Sequence, residues 1–396
     1  MKHLSLAQWG VVMILALLTA LEPLSIDLYL PGFLIISEAL KTDVAAVQIS
    51  LSTFLGGFAI GQLIWGPLAD KYGRKKPILL SLLIFIIASI ACIYVKTVEQ
   101  LWIMRFIQAI GGCGGIVISR AVVSDYFEKE KTLKIFSLLA MIMGVAPIVA
   151  PLFGNAILQI SHNWHSLFGA MAFIGIMLFL LTLIFLPETR KRRTLPEIKS
   201  NKGQVLRQYL EVLKVRKFII YSLVAGIING ALMIYASNGP FLIMEKGGFS
   251  GSMFSLIFAI NAFGLVLGSY SANILSKYFT SEKLCKGVLF LMTIISIIML
   301  MFMYWDGTIN IILFILFFYL FVIGILFPLT TELALNSFTN NSGTASSLFG
   351  TIQMTIAFAC TLISGIMNDG TIITLGIEFL LCAILAFISV FGKVRK

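Results

Sequence analysis

Twelve apolar runs, spread from one end of the chain to the other, constrain its fold more than any other feature. They lie at 9–30, 45–68, 77–95, 101–123, 134–160, 165–186, 218–243, 252–275, 285–304, 309–331, 345–367 and 371–391. Each is close to the roughly 20 residues that a helix needs to cross a hydrocarbon core about 30 Å thick. Barrel strands are only about ten residues long and alternate in polarity, which these runs do not. Only 12% of the residues are charged, about half the share found in soluble domains. The chain is therefore expected to be an all-α polytopic membrane protein with twelve transmembrane helices.

The net charge of +11 could suggest nucleic acid, but its distribution gives it another meaning. With the N-terminus inside and loops assigned alternately, the inside segments hold 24 Lys and Arg and the outside loops only Lys41, Lys96 and Lys246. Arg105 and Arg120 fall within the fourth run. By the positive-inside rule both termini are cytoplasmic, and the basic excess reports topology, with attraction to anionic lipid as a secondary effect. The first run is too long for a signal h-region, carries two acids and lacks a small-residue cleavage site.

Several chemistries find no support. Cys92, Cys113, Cys360 and Cys382 sit within runs and Cys285 borders one, so the five cysteines read as small core residues. His162 and His165 in "SHNWH" have no third ligand nearby, and a metal site there is the weaker reading. No Ser, His and Asp converge in a catalytic motif, and no GxxxxGK[ST] loop appears. The chain is not expected to be an enzyme or to be driven by ATP.

The longest polar segment, 187–217, divides six runs from six, giving an N-terminal bundle 1–186, a cytoplasmic linker 187–217 and a C-terminal bundle 218–396. A surface helix is expected over about 203–215. The halves echo each other: "PGFLIISE" after the first run is similar to "GPFLIMEK" after the seventh, and "DKYG" at 70–73 to "SKYF" at 276–279. Parallel six-span repeats joined by a basic linker are the layout of an alternating-access transporter.

The hairpin "GQLIWGPLADKYGRKKP", 61–77, joins the second and third spans. Gly61 and Gly66 are expected to let helix backbones approach closely, Asp70 to end the helix and Gly73 to permit a left-handed turn. This stretch resembles the signature loop of the major facilitator superfamily. "SIDLYLP" (25–31), "RFIQAIGG" (105–112), "RAVVSDYF" (120–127), "GVAPIVAPLFG" (144–154), "LPET" (186–189), "FAINAFGLVLGS" (258–269) and "GTASSLFGTIQ" (343–353) resemble its Bcr/CflA-type branch of drug:proton antiporters. The resemblance implies the major facilitator fold, two pseudo-symmetric six-helix bundles. It implies a cytoplasmic charge network of Asp70 and Arg74, with Arg120 and Asp125 as partners. It also places Pro147 and Pro151 at the bend antiporters carry in span five, with Ala-Pro here replacing the usual Gly-Pro.

Glu22 and Asp27 lie inside the first run, where a carboxylate costs roughly 2.5–3.5 kcal/mol on insertion scales. Asp27 is four residues from Pro31, and Arg105 four residues from Leu101, near the same membrane face. At 1.5 Å per residue both sit about 6 Å inside their markers, so an Asp27–Arg105 pair is expected to make each tolerable. Pro23 and Pro31 should bend the first span around Asp27, turning unsatisfied backbone towards a cavity. Glu22 lies about 140° round the helix from Asp27. One acid handles the proton and the other a cationic cargo group, or both serve in turn; the sequence leaves this open. Desolvation and a nearby arginine act on such carboxyls in opposite senses, which suits proton exchange.

Gln108, Tyr29, Asn229, Tyr235, Asn261 and Gln353 are the expected lining of a substrate cavity, although ordinary interhelical hydrogen bonding explains such groups equally well. The expected function is proton-coupled export of small amphipathic drug-like compounds across the bacterial cytoplasmic membrane. Its partners would be a small-molecule substrate and membrane lipid, with no nucleic acid. It would act as a monomer, with no cofactor and with the proton as coupling ion. The alternatives are a dedicated exporter or symporter of one metabolite or siderophore-like cargo, or a membrane sensor that transports nothing.

Overall fold

The computed structural model describes residues 5–189, 210–305, 307–336, 338 and 342–391. Most of the linker 187–217, including most of the surface helix expected over 203–215, lies outside the described residues. Twelve helical spans are present: Gln8–Ala39, Val44–Tyr72, Lys75–Ile93, Val98–Tyr126, Met141–Ser161, His165–Phe185, Arg216–Lys246, Gly251–Leu275, Ser281–Tyr304, Ile309–Leu335, Thr344–Met367 and Ile372–Val390. They are numbered one to twelve in that order. All the described spans are helical, with no strand among the described residues.

Local signals start the helices. Ser5 and Gln8 form a reciprocal capping box ahead of span one. Asp43, Thr97 and Ser250 accept the backbone N–H three residues on, at the starts of spans two, four and eight. Exposed Tyr94, Tyr304 and Trp305 sit at span ends, where amphipathic rings suit the headgroup level. Large apolar side chains such as Ile160, Phe173 and Ile184 are exposed along the spans, as lipid contact demands.

The chain divides into two compact units, Met1–Thr194 and Leu195–Lys396. Within the first, span two packs on four, three on four and six, and one on four, five and six. Within the second, the same pairings recur six spans later: eight on ten, nine on ten and twelve, seven on ten, eleven and twelve. Glycines make the closest approaches. A Cβ on Gly61 would lie 2.8 Å from Cys113 Cβ on span four. One on Gly268, at the matching place in span eight, would collide with the Phe321 carbonyl on span ten. Gly111 and Gly114 press span four on Phe85 and Ser81 of span three. Gly66, by contrast, has nothing within 4 Å of a Cβ. It lies on the part-exposed side of span two, and the close approach to span four is made by Gly61 together with Gly57, which meets the Phe106 carbonyl.

The first span of each unit is irregular towards its second end. In span one the α-helix runs from Leu6 through Pro23 to Asp27, and a 3-10 turn at Leu30–Gly32 and a short helix Phe33–Ala39 follow. Span seven is α-helical to Pro240 and π-helical over Phe241–Lys246. Proline supplies no N–H, so the ladder must change pitch or stop. Broken helices within membrane spans are tolerated where protein buries them or a cavity takes them up.

Candidate transport site

Span one ends its regular helix at Asp27, and the last carbonyls of a helix have no partner within it. Leu28 N–H satisfies Leu24. The Ser25 carbonyl takes a hydrogen bond from Arg105 Nη2 at 2.9 Å. Arg105 is fully buried on span four, and its Nη1 donates to Gln108 Oε1 at 2.5 Å. Its guanidinium lies between the rings of Tyr29 and Phe54, 4.2 and 4.3 Å from their centroids, with Phe168 at 6.0 Å. A cation over ring faces gains from their quadrupoles, and one at a helix C-terminus gains from the dipole. Its Nε has no hydrogen-bond partner.

The pair expected between Asp27 and Arg105 is therefore not formed. The physical reason is the helix break itself, which presents an orphaned carbonyl that takes the guanidinium. Asp27 is 5% exposed and has no ion pair among the described residues. Span five seals the break, since a Cβ on Gly154 would collide with the Leu28 carbonyl. The prolines Pro147 and Pro151 both lie within the unbroken helix Lys129–Ser161.

Glu22 is likewise buried, at 7% exposure. It lies five residues before Asp27 on the same helix. Gly115 of span four sits against Leu18 of span one; the two helices run in opposite directions, as the Arg105–Ser25 bond shows, so Glu22 and Arg120 lie on opposite sides of that contact, about 13 Å apart along the axis at 1.5 Å per residue. Arg120 is exposed, and no ion pair among the described residues joins it to Glu22. Arg120 was expected in the cytoplasmic network, but no ion pair among the described residues contains it.

The network at the two–three hairpin is centred on Arg74 instead. Its Nη1 binds Asp70 and its Nε binds Asp125, both at 2.7 Å. Burial opposes the Arg74 charge, but the hydrogen bonds to Asp125 and Asp70 outweigh it and raise an already high pKa. Gly73 holds φ at +90°, where a side chain would be strained. Glu188, just past span six, accepts the backbone N–H of Arg74 at 2.8 Å and of Lys75 at 3.2 Å, capping span three. Sequence reasoning missed that cap, although "LPET" was its signal. In the second unit the acid matching Asp125 at the end of span ten, Glu332, accepts, among the described residues, the Ser281 hydroxyl and the Asn336 amide.

Two residues expected to line a cavity are instead packed inside the first bundle. Gln108 donates to Ser89 Oγ at 2.7 Å and touches Met171, tying spans three, four and six. The Tyr29 hydroxyl meets Ser50 Oγ at 3.2 Å. Both residues are fully buried, because a buried arginine must be surrounded by groups that satisfy it. Phe54 and Phe168 belong to that surround and gave no sequence signal, since phenylalanine is common in every span. In the second unit Asn261 Nδ2 donates to the Tyr235 hydroxyl at 2.8 Å, and Tyr235 stacks on Phe258. Asn229 is buried with its Nδ2 unpartnered, and Gln353 is half-buried.

Comparison with known proteins follows the same lines. The family model described as Major Facilitator Superfamily matches residues 15–362. An uncharacterized MFS-type transporter, YdgK of Bacillus subtilis (strain 168), is 32% identical over 384 residues, 97% of this chain and 95% of the relative. The multidrug resistance protein MdtL of Shewanella sp. (strain ANA-3) is 29% identical over 365 residues, 90% and 88% of the two chains. The solved structure of a D-xylose-proton symporter matches with a TM-score of 0.79 at 14% identity, covering 97% of this chain and 99% of that one. At that identity the likeness concerns the fold alone.

Proposed function

The chain belongs to the Major Facilitator Superfamily and is a multi-pass membrane transporter of small molecules, and from that premise we propose that it exports amphipathic drug-like compounds in exchange for protons. The observation that carries this reading is an acid without a cation beside a cation without an acid. Asp27 is buried at the end of a broken helix, and Arg105 is buried against the carbonyl two residues earlier. A carboxyl so placed is neutralised either by a proton or by a turn of the guanidinium. When cargo or a proton displaces one solution, the other takes over, and the break in span one lets the local backbone follow.

Glu22 is the second acid of this device. Lying nearer the midplane, it is placed to meet a cationic group on the cargo. The hairpin charges of Asp70, Arg74 and Asp125 steady one conformational state. The drug-export reading draws on the Bcr/CflA-type motifs and on the relative named as a multidrug resistance protein.

The same reading sets both termini in the cytoplasm of a bacterial cell and the protein in its inner membrane. The chain acts as a monomer, with the proton as its coupling ion and no cofactor.

The test uses purified protein in liposomes with an imposed pH gradient and a pH-sensitive dye inside. Lipophilic cations, neutral antibiotics and zwitterions are added in turn, beside an Asp27→Asn control. Proton flux evoked by several unrelated compounds and lost in the control is the expected result. Flux that survives in the control removes Asp27 from the mechanism, and silence across the panel moves the assignment to a dedicated cargo.

A further inference from the structure

The second unit holds a buried acid of its own. Glu378, on span twelve, is 8% exposed, and its Oε2 accepts a hydrogen bond of 2.6 Å from Ser364 Oγ on span eleven. Ser364 Oγ in turn accepts one of 2.9 Å from Asn238 Nδ2 on span seven. Three spans of one bundle thus converge on one carboxyl. No hydrogen bond reaches its Oε1 among the described residues, and no described lysine, arginine or histidine pairs with it.

The groups around it are acids or neutral. Asp369 is the charged side chain within electrostatic reach. Cys382 lies one turn on, beside Cys360 of span eleven. On span ten the Tyr319 hydroxyl is committed to the Phe379 carbonyl. With no cation to balance it, this carboxyl has only a proton for a counter-ion.

A polar route leads to it along one face of span twelve. Thr371 is exposed, Thr374 is half-buried and Glu378 is buried, at i−7, i−4 and i, positions that share a helix face. Asp369, exposed in the loop before the span, gathers both hydroxyls on its Oδ1, at 2.7 Å from Thr371 and 2.9 Å from Thr374. Those hydrogen bonds hold the Asp369 carboxyl below its ordinary pKa. Asn238, Ser364, Asn368, Thr371, Thr374 and Glu378 border one narrow recess, too tight to hold a water molecule, between the loop and the buried acid. Glu378 is six residues past Ile372, about 9 Å into the span. Span seven changes from α to π pitch just beyond Asn238, and Pro240 frees the Ala236 carbonyl there. Irregular backbone at membrane depth is a mark of ion sites in transporters.

We propose that Glu378 is a proton-binding site of the second unit, loaded through Thr371 and Thr374 from the membrane face that carries Asp369. A water at that face gives its proton through the hydroxyls, an O–H bond forms on Glu378 Oε1, and hydroxide or buffer base takes the proton back by the same route. Ser364 keeps its bond to Oε2 throughout. The coupling use of the site rests on the export reading, while its existence does not. Under that reading each unit carries its own proton site, and more than one proton moves per cargo.

The experiment is infrared difference spectroscopy on the full chain in lipid nanodiscs, without cargo, stepped from acid to alkaline pH. Wild type should show a protonated carboxyl band that vanishes on the alkaline side, and Glu378→Gln should lack it. Thr374→Val should keep the band and slow its deuterium exchange by about tenfold, the rate cost of one lost hydrogen-bonded step. Should Glu378→Gln fail to fold, Ser364→Ala keeps the acid and must move the band's frequency by removing its hydrogen bond. A spectrum unchanged by these substitutions, or a band present at every pH, overturns the site. Exchange indifferent to Thr374→Val overturns the route. No cargo enters this measurement, so silence in the liposome assay leaves it standing, and a missing band leaves Asp27 and the export reading untouched.

Discussion

Arg105 donates its Nη2 hydrogen to the carbonyl of Ser25 at 2.9 Å, and not to the carboxylate of Asp27 two residues further on. A fully buried guanidinium thus serves as the C-terminal cap of a broken helix. The arrangement leaves the acid unpaired and therefore open to a proton.

Arg105→Lys should keep the charge but lose the fork that reaches Gln108 and Ser25 together. Arg105→Met removes the charge and leaves two buried acceptors unsatisfied, at about 1–3 kcal/mol each. Thermal melting in detergent should fall in both, and further in Arg105→Met. Equal melting of Arg105→Met and wild type would show that the cap contributes nothing.

Asp27 and Glu22 should separate by cargo. Asp27→Asn is expected to abolish proton-coupled flux for every compound while leaving the melt unchanged. Glu22→Gln is expected to weaken transport of lipophilic cations by at least about tenfold, equivalent to about 1.4 kcal/mol of lost recognition, and to spare neutral compounds. Parallel uptake assays with one cationic and one neutral compound decide it; equal losses for both would merge the two roles.

Glycines one turn or so apart in span two should respond differently. Gly61→Val forces a branched side chain against Cys113 and should cost about 1–3 kcal/mol by overpacking. Gly66→Ala meets open space and should stay within about 0.5 kcal/mol or gain from helix propensity. Yield of folded protein by size-exclusion chromatography reads the contrast.

Glu188→Ala removes the cap of span three and should cost about 0.5–2 kcal/mol. The Arg74–Asp125 pair should show coupling of about 0.5–1 kcal/mol in a double-mutant cycle, since Asp125 is part-exposed and screened. Limited proteolysis at the hairpin around Gly73 should speed up in each single variant. Resistance equal to wild type in Glu188→Ala would remove it from the hairpin lock.

Span count, helical class and the pairing of halves were legible because each rests on local rules. Lipid admits only backbone that satisfies itself, so twelve apolar runs mean twelve helices. The echo of Pro31 in Pro240, and of "DKYG" in "SKYF", was likewise written in the chain. The glycines of span four could be read as contact points, though not which neighbour each would meet.

The candidate site was legible as a set of residues and not as a set of bonds. Glu22, Asp27 and Arg105 stand out by sequence alone, because a charge inside an apolar run is expensive wherever it points. Whether Arg105 would take the Asp27 carboxylate or the Ser25 carbonyl depends on where span one stops being a helix and on how span four is turned against it. Asp125 pairing with Arg74, and Glu188 reaching back to cap Arg74 and Lys75, depend in the same way on packing between segments distant in the chain. The sequence by itself determined which groups had to be neutralised. Only the tertiary structure chose their partners, because hydrogen bonds act over about 3 Å and residues a hundred positions apart come that close only once the helices are packed.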